Sequence, residues 1–213
     1  MTLIDLQALR DARLEKDPYR YAVVPHSFHD DDAARALNDG FAVDGFVRSE
    51  RRPGGGRGKH YLMHNRTLVS EGRQHREAVD TLPDAWRRLV DEVTSDSYRD
   101  ALVELTGADL DGCAVEARMT RYSSGCWIQP HTDRPDKAVT HLFYFNDTWR
   151  SEWQGDLHVL RGPDMKDVAR RVLPLLGTSV VLVRSDDSWH GVPPVSEGCP
   201  DDRRALLVHF ART

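Results

Sequence analysis

Between Cys113 and Phe210 the chain presents seven short strand-like segments separated by Gly, Pro and Asp clusters: Cys113–Tyr122, Trp127–His131, Val139–Phe145, Asp156–Leu160, Thr178–Arg184, Trp189–Val192 and Ala205–Phe210. Many short strands with such punctuation read as an all-β sandwich or barrel. The segment before them has a different period. Asp30 to Leu37 opens with three acids ahead of Ala33, Ala34 and Leu37, as a helix start does. From Pro83, Trp86, Leu89, Val90 and Val93 fall at helical spacing, and Tyr98, Ala101, Leu102 and Leu105 repeat it up to a stop at Gly107. Helices followed by strands predict a mainly β fold with supporting helices packed on one face of a β core. With 213 residues the chain is read as one domain, 1–213, in which 1–110 are mostly helical support and loops and 111–213 form the β core. The run Arg51-Arg52-Pro53-Gly54-Gly55-Gly56-Arg57-Gly58-Lys59 cannot hold regular structure and reads as a mobile basic loop, a candidate lid.

Composition excludes several classes. No apolar run approaches the ~20 residues that span a bilayer, so no membrane partner is expected. A net charge of −5 and a pI near 6.0 lack the electrostatic footprint of a duplex-binding protein, so no nucleic acid is expected either. Cys113, Cys126 and Cys199 are odd in number and widely spaced, which suits reduced thiols. Met1 to Lys16 mixes charges with scattered leucines and has no signal-peptide core, so a cytoplasmic location is expected.

Of the ten histidines, two stand out with an acid. In His131-Thr132-Asp133 the ligand side chains sit at i and i+2 of a strand end and point to the same side. His190, on a later strand, can complete the set. Two imidazoles and one carboxylate with open positions form the facial triad of non-haem Fe(II) chemistry. The tripeptide alone is common, and a cupin-like sensor holding zinc or manganese would use the same three residues.

The surrounding pattern is more specific. Tyr122 precedes the His-x-Asp, then come Thr140-His141-Leu142-Phe143-Tyr144-Phe145-Asn146, Gly155-Asp156-Leu157, His190 and a strand opening at Arg203. Over residues 113 to 210 the chain resembles the Fe(II)/2-oxoglutarate-dependent oxygenases, specifically their prolyl-4-hydroxylase-like branch. The resemblance implies a double-stranded β-helix, a jelly-roll or cupin-like barrel, and a hydroxylase that uses Fe(II), 2-oxoglutarate and dioxygen. It implies His131, Asp133 and His190 as the metal ligands and Arg203 as the partner of the distal 2-oxoglutarate carboxylate, since a guanidinium fork matches a carboxylate. Tyr144 and Thr140 would donate to the cosubstrate, Leu142 would pack between them, and Tyr122 would stand near it. Alternation alone does not choose between Arg203 and Arg204, because both faces of their strand are apolar; the family spacing selects Arg203.

Asp133 occupies the slot that is Ala or Gly in halogenating relatives, which points to hydroxylation. Nucleic-acid demethylases carry a second Arg where this chain has His209. Arg118 shares a face with Tyr122 and can reach a substrate carboxylate, and His209 points inward; both are possible substrate residues. The expected substrate is a small molecule, a free or carrier-tethered amino acid or a natural-product intermediate, with a prolyl residue of a protein as the alternative.

Overall fold

A computed structural model describes residues 2–52 and 58–212. Its elements, in chain order, are α1 (Leu6–Arg10), β1 (Tyr21–Val24), α2 (Asp31–Asp39), β2 (Val47–Arg51), β3 (Tyr61–Ser70), β4 (Arg73–Gln74), α3 (Arg76–Val79), α4 (Asp84–Val93) and α5 (Asp96–Thr106). Then follow β5 (Cys113–Tyr122), β6 (Trp127–His131), β7 (Lys137–Tyr144), β8 (Leu157–Leu160), β9 (Val168–Val172), β10 (Ser179–Val183), β11 (His190–Val192) and β12 (Arg203–Arg212). The strands pair antiparallel in the order β1-β10-β7-β12-β5-β3-β6-β11-β8-β9, with β2 and β4 added to β3. The sheet curls into a nearly closed barrel, the double-stranded β-helix of the 2-oxoglutarate oxygenases.

Local chemistry sets the helices. Asp30 caps α2 by accepting from Ala33 N at 2.7 Å, and Ser95 caps α5 by accepting from Tyr98 N. Helix α5 ends at Gly107, whose φ of 64° is the left-handed conformation that glycine reaches without a Cβ clash. Trp86, Leu89, Val90 and Val93 of α4, with Tyr98, Ala101 and Leu102 of α5, bury one face against Val139 and Phe143 of β7 and Leu206, Val208 and Phe210 of β12. Inside the barrel a second apolar cluster joins Met63, Tyr122, Ile128, Leu142, Tyr144, Val159, Val180, Val192 and Ala205. Burial on both faces of β7 and β12 removes the in/out alternation that sequence reading relies on.

Residues 1–110 are more than helices and loops. They supply four strands, and the ten-residue β3 lies between β5 and β6, where it bridges the two halves of the barrel. Its alternation is broken by a register shift between Thr67 and Val69. Its Arg66 is buried on the helix side, donating to the carbonyls of Asp44 and Ala78. Within the run 51–59, Arg51 is the last residue of β2, while 53–57 lie outside the described residues. Strand β9 carries the exposed Arg170 and Arg171 on a sheet edge, where charge rather than apolar pattern is expected. Among the described residues no helix is long and apolar enough to cross a membrane.

Candidate active site

His131 closes β6 and His190 opens β11, and the two are direct cross-strand partners. Asp133 follows two residues past the end of β6. One ligand atom from each of the three lies within 4.8 Å of the others, so a single ion can touch all three. Each histidine is oriented by the main chain: His131 Nδ1 bonds Gln129 O at 2.9 Å and His190 Nδ1 bonds Ser188 O at 2.9 Å. A carbonyl accepts only from N–H, so Nδ1 carries the proton and each Nε2 keeps its lone pair for a metal. Burial keeps both imidazoles neutral, His131 well below its ordinary pKa and His190 below it. Burial pushes the Asp133 carboxyl up, but Lys59 and the neighbouring His190, His209 and His131, where protonated, outweigh this and hold it well below the usual carboxylate range. Two neutral nitrogens and one carboxylate oxygen on one side suit Fe(II) with open positions opposite.

Asp133 anchors a line of hydrogen bonds. Thr140 Oγ1 lies 2.6 Å from Asp133 Oδ2 and 2.7 Å from His209 Nδ1, and His209 Nε2 lies 3.4 Å from Arg118 Nη2. An ionised carboxylate only accepts, so Thr140 donates to it and accepts from His209 Nδ1–H; His209 Nε2 then accepts from Arg118. Burial, followed by the charge on Lys137, keeps His209 well below its ordinary pKa, consistent with this neutral tautomer. The hydroxyl of Thr140 is therefore engaged by Asp133 and His209 rather than facing a cosubstrate. His209, for its part, has both ring nitrogens occupied.

Arg203, 2% exposed, lies between two aromatic rings, 5.0 Å from the Tyr122 centroid and 5.1 Å from that of Tyr144. Among the described residues it forms no ion pair, its Nε has no hydrogen-bond partner, and neither has the buried hydroxyl of Tyr144. A buried guanidinium without a counter-charge is unfavourable, and a bound carboxylate is its natural complement. Tyr122 reaches only Met63 Sδ, at 3.5 Å, and burial raises its phenol to about 12. Leu142 lies on the same interior face of β7 as Tyr144 and pairs across to Leu207 of β12. Arg204 turns the other way, to Asp201 and the Phe41 ring.

Three residues near the triad escape sequence reading. Lys59 Nζ lies 3.7 Å from Asp133 Oδ1, and Lys137, at the head of β7, lies 3.4 Å from Glu116 Oε2. Tyr19, from the segment before β1, is buried close enough to Asp133 for that charge to raise its phenol further after burial, and its hydroxyl has no partner. Lys59 ends a Gly-rich run and Tyr19 follows a proline, so neither has a periodic signal; Lys137 has only its place at a strand start.

Residues 117–212 match the 2OG-Fe(II) oxygenase superfamily, and the fold is shared over nearly the whole chain with solved structures. The match takes in His131, Asp133 and His190, and it is to the class expected from the sequence pattern. Solved structures that share the fold include two prolyl hydroxylases and an epimerase. A Pseudomonas putida prolyl-4-hydroxylase superposes with a TM-score of 0.66 at 20% identity, covering 98% of this chain and 99% of that one. A prolyl hydroxylase from Trichoplax adhaerens, solved with a hypoxia inducible factor peptide, gives 0.62 at 15% identity, with 90% and 83% covered. The non-heme α-ketoglutarate-dependent epimerase SnoN from nogalamycin biosynthesis gives 0.56 at 15% identity, with 97% and 83% covered. No curated protein matches the sequence.

Proposed function

We propose that the chain hydroxylates an unactivated C–H bond of a small substrate, a free or carrier-tethered amino acid or a natural-product intermediate. His131, Asp133 and His190 hold Fe(II). Arg203 takes the distal carboxylate of 2-oxoglutarate, with the Tyr144 hydroxyl as a second donor to it. When bound, Fe(II) and 2-oxoglutarate supply the activation of dioxygen. The chain's own part is to hold the three ligand atoms on one side, to seat Arg203 between Tyr122 and Tyr144 so that water is kept from the carboxylate, and to fix Asp133 through Thr140. Leu142 fills the space between Thr140 and Tyr144.

The observation that carries the cosubstrate assignment is the buried, unpaired Arg203 beside the unpartnered Tyr144 hydroxyl. A small substrate is supported by Arg118, which meets His209 on the triad side and also lines an open groove of about 960 Å³ with Asp44, Val47, Ser49, Asn65, Thr67 and Glu77. That is the size of a small-molecule site. The neighbours named above include a peptide complex and a biosynthetic epimerase, so the fold serves both substrate classes.

Anaerobic titration of metal-free protein with Fe(II), then with 2-oxoglutarate, tests the centre. The weak visible metal-to-ligand charge-transfer band of the chelate is expected, and is expected to vanish in His131→Ala and Asp133→Ala; iron binding without the band would favour a metal sensor. Mass spectrometry of products from free amino acids and from proline-containing peptides tests the substrate class. Oxidation of peptides alone would overturn the small-molecule assignment.

A further inference from the structure

Arg118 on β5, Lys59 ahead of β3 and Lys137 on β7 bring three cations to the metal-facing side of the barrel. Two of them already have carboxylates, Lys59 with Asp133 and Lys137 with Glu116. Arg118 has none among the described residues. Its Nη2 meets only the neutral His209, and its buried Nε has no hydrogen-bond partner. Arg118 and Lys137 are close enough to repel one another: burial and then Arg118 lower Lys137 to about 8.

Filling the centre does not relieve this excess. Fe(II) and the 2-oxoglutarate dianion cancel, which leaves Arg203, Arg118, Lys59 and Lys137 against Asp133 and Glu116. The filled site keeps a positive balance, and Arg203 is already committed to the cosubstrate. Of these four cations Arg118 is left without an anion among the described residues, and it lines the groove beside β2 and β3. With Nη2 on His209, the guanidinium still has Nε without a partner among the described residues, and a guanidinium edge is the fork that a carboxylate fits.

We propose that Arg118 is the subsite for a carboxylate of the substrate to be oxidised. The enzyme then takes a free amino acid, and not its carrier-bound thioester or a residue inside a peptide, since both lack the α-carboxylate. This rests on the hydroxylase function proposed above and narrows its substrate class.

The test uses the full chain with Fe(II), 2-oxoglutarate and air, the twenty free amino acids, and the C-terminal amide of each. Initial rates of product formation are read by mass spectrometry for the wild type, Arg118→Lys and Arg118→Met, after thermal melts establish that each variant is folded. A charged hydrogen-bond pair of this kind is worth about tenfold to hundredfold in selectivity. The wild type should prefer at least one acid over its amide by about that factor. Arg118→Lys should keep part of the preference, and Arg118→Met should lose it, chiefly through KM. Equal rates for acid and amide, a preference that survives Arg118→Met, or no acid in the panel giving product would each overturn the subsite. Succinate release by the wild type without any panel compound reads the oxygenase centre separately: succinate without acid preference sinks only the subsite, whereas no succinate and no charge-transfer band sinks the function itself.

Discussion

Lowering the pH should unfold this protein partly through a histidine that has no part in its chemistry. His141 lies on the helix-facing side of β7, 1% exposed, with Nδ1 2.7 Å from the Tyr98 hydroxyl and Nε2 2.8 Å from Ser179 Oγ, which meets Ser27 Oγ at 2.7 Å. The ring lies near those of Tyr98 and Phe143 with no acid to receive a proton's charge. Burial lowers it from 6.5 to about 3. The folded state thus binds fewer protons than the unfolded one, so the contribution to stability is whole above about pH 6.5 and is lost as pH falls below it. Between pH 7 and pH 5 the unfolded imidazole takes up its proton while the folded one stays neutral, a loss of about 2 kcal/mol. His131, His190 and His209 are lowered too and add to the total slope, so the measurement must be a difference. Urea unfolding of the chelator-treated protein, followed by tryptophan fluorescence at pH 7, 6 and 5, is compared between wild type and His141→Gln. The variant starts less stable, yet from pH 7 to pH 5 it should lose about 2 kcal/mol less than the wild type. Parallel losses, within about 0.5 kcal/mol, would refute a neutral, buried His141 as a source of acid lability.

Other expectations concern the centre. Arg203→Met should weaken 2-oxoglutarate by at least about a hundredfold in the charge-transfer titration, because a buried carboxylate loses its only cation, while Arg204→Met leaves it within a few-fold; equal effects would mean that the wrong face of β12 has been assigned. Thr140→Val removes the 2.6 Å bond to Asp133 and should weaken Fe(II) or Mn(II) binding, read by calorimetry, by about tenfold or more, and unchanged affinity would show that Asp133 needs no such support. A Cβ at Gly191 would sit 3.1 Å from Pro130 N and 3.2 Å from Ile128 O, so Gly191→Ala should push β11 from β6 and lower metal affinity by parting His190 from His131. Retention of wild-type affinity there would show that the two strands tolerate the shift.

Much of the β core is legible because its strands end at hard stops. Cys113–Tyr122 is cut by Ser-Ser-Gly and Trp127–His131 by the turn that carries Asp133, and both have the bounds that spacing predicts. Strand β3 is illegible for the opposite reason: its bulge breaks the period, the polar Asn65 and Thr67 line an open groove, and Arg66 is buried among backbone carbonyls. The two histidines and Asp133 are visible as a pattern because i and i+2 share a side. That His190 stands directly opposite His131 depends on strand order, which no local signal encodes. Lys59 and Tyr19 approach the triad from distant parts of the chain, so the folded chain reveals them, while Lys137 follows Asp133 by four residues and carries only the signal of a strand start. Arg203 and Arg204 differ by one step along a strand buried on both faces, and it is the helical layer over Arg204's side that separates them.

The metal-facing histidines take their aim from the carbonyls of Gln129 and Ser188, and a peptide carbonyl is present whatever side chain an organism encodes there. The aim of both rings is therefore insulated from genetic drift at 129 and 188. Only changes that move the β6–β11 backbone itself are felt at the ligand atoms. The surface and the groove are free to change while the geometry at the centre stays put.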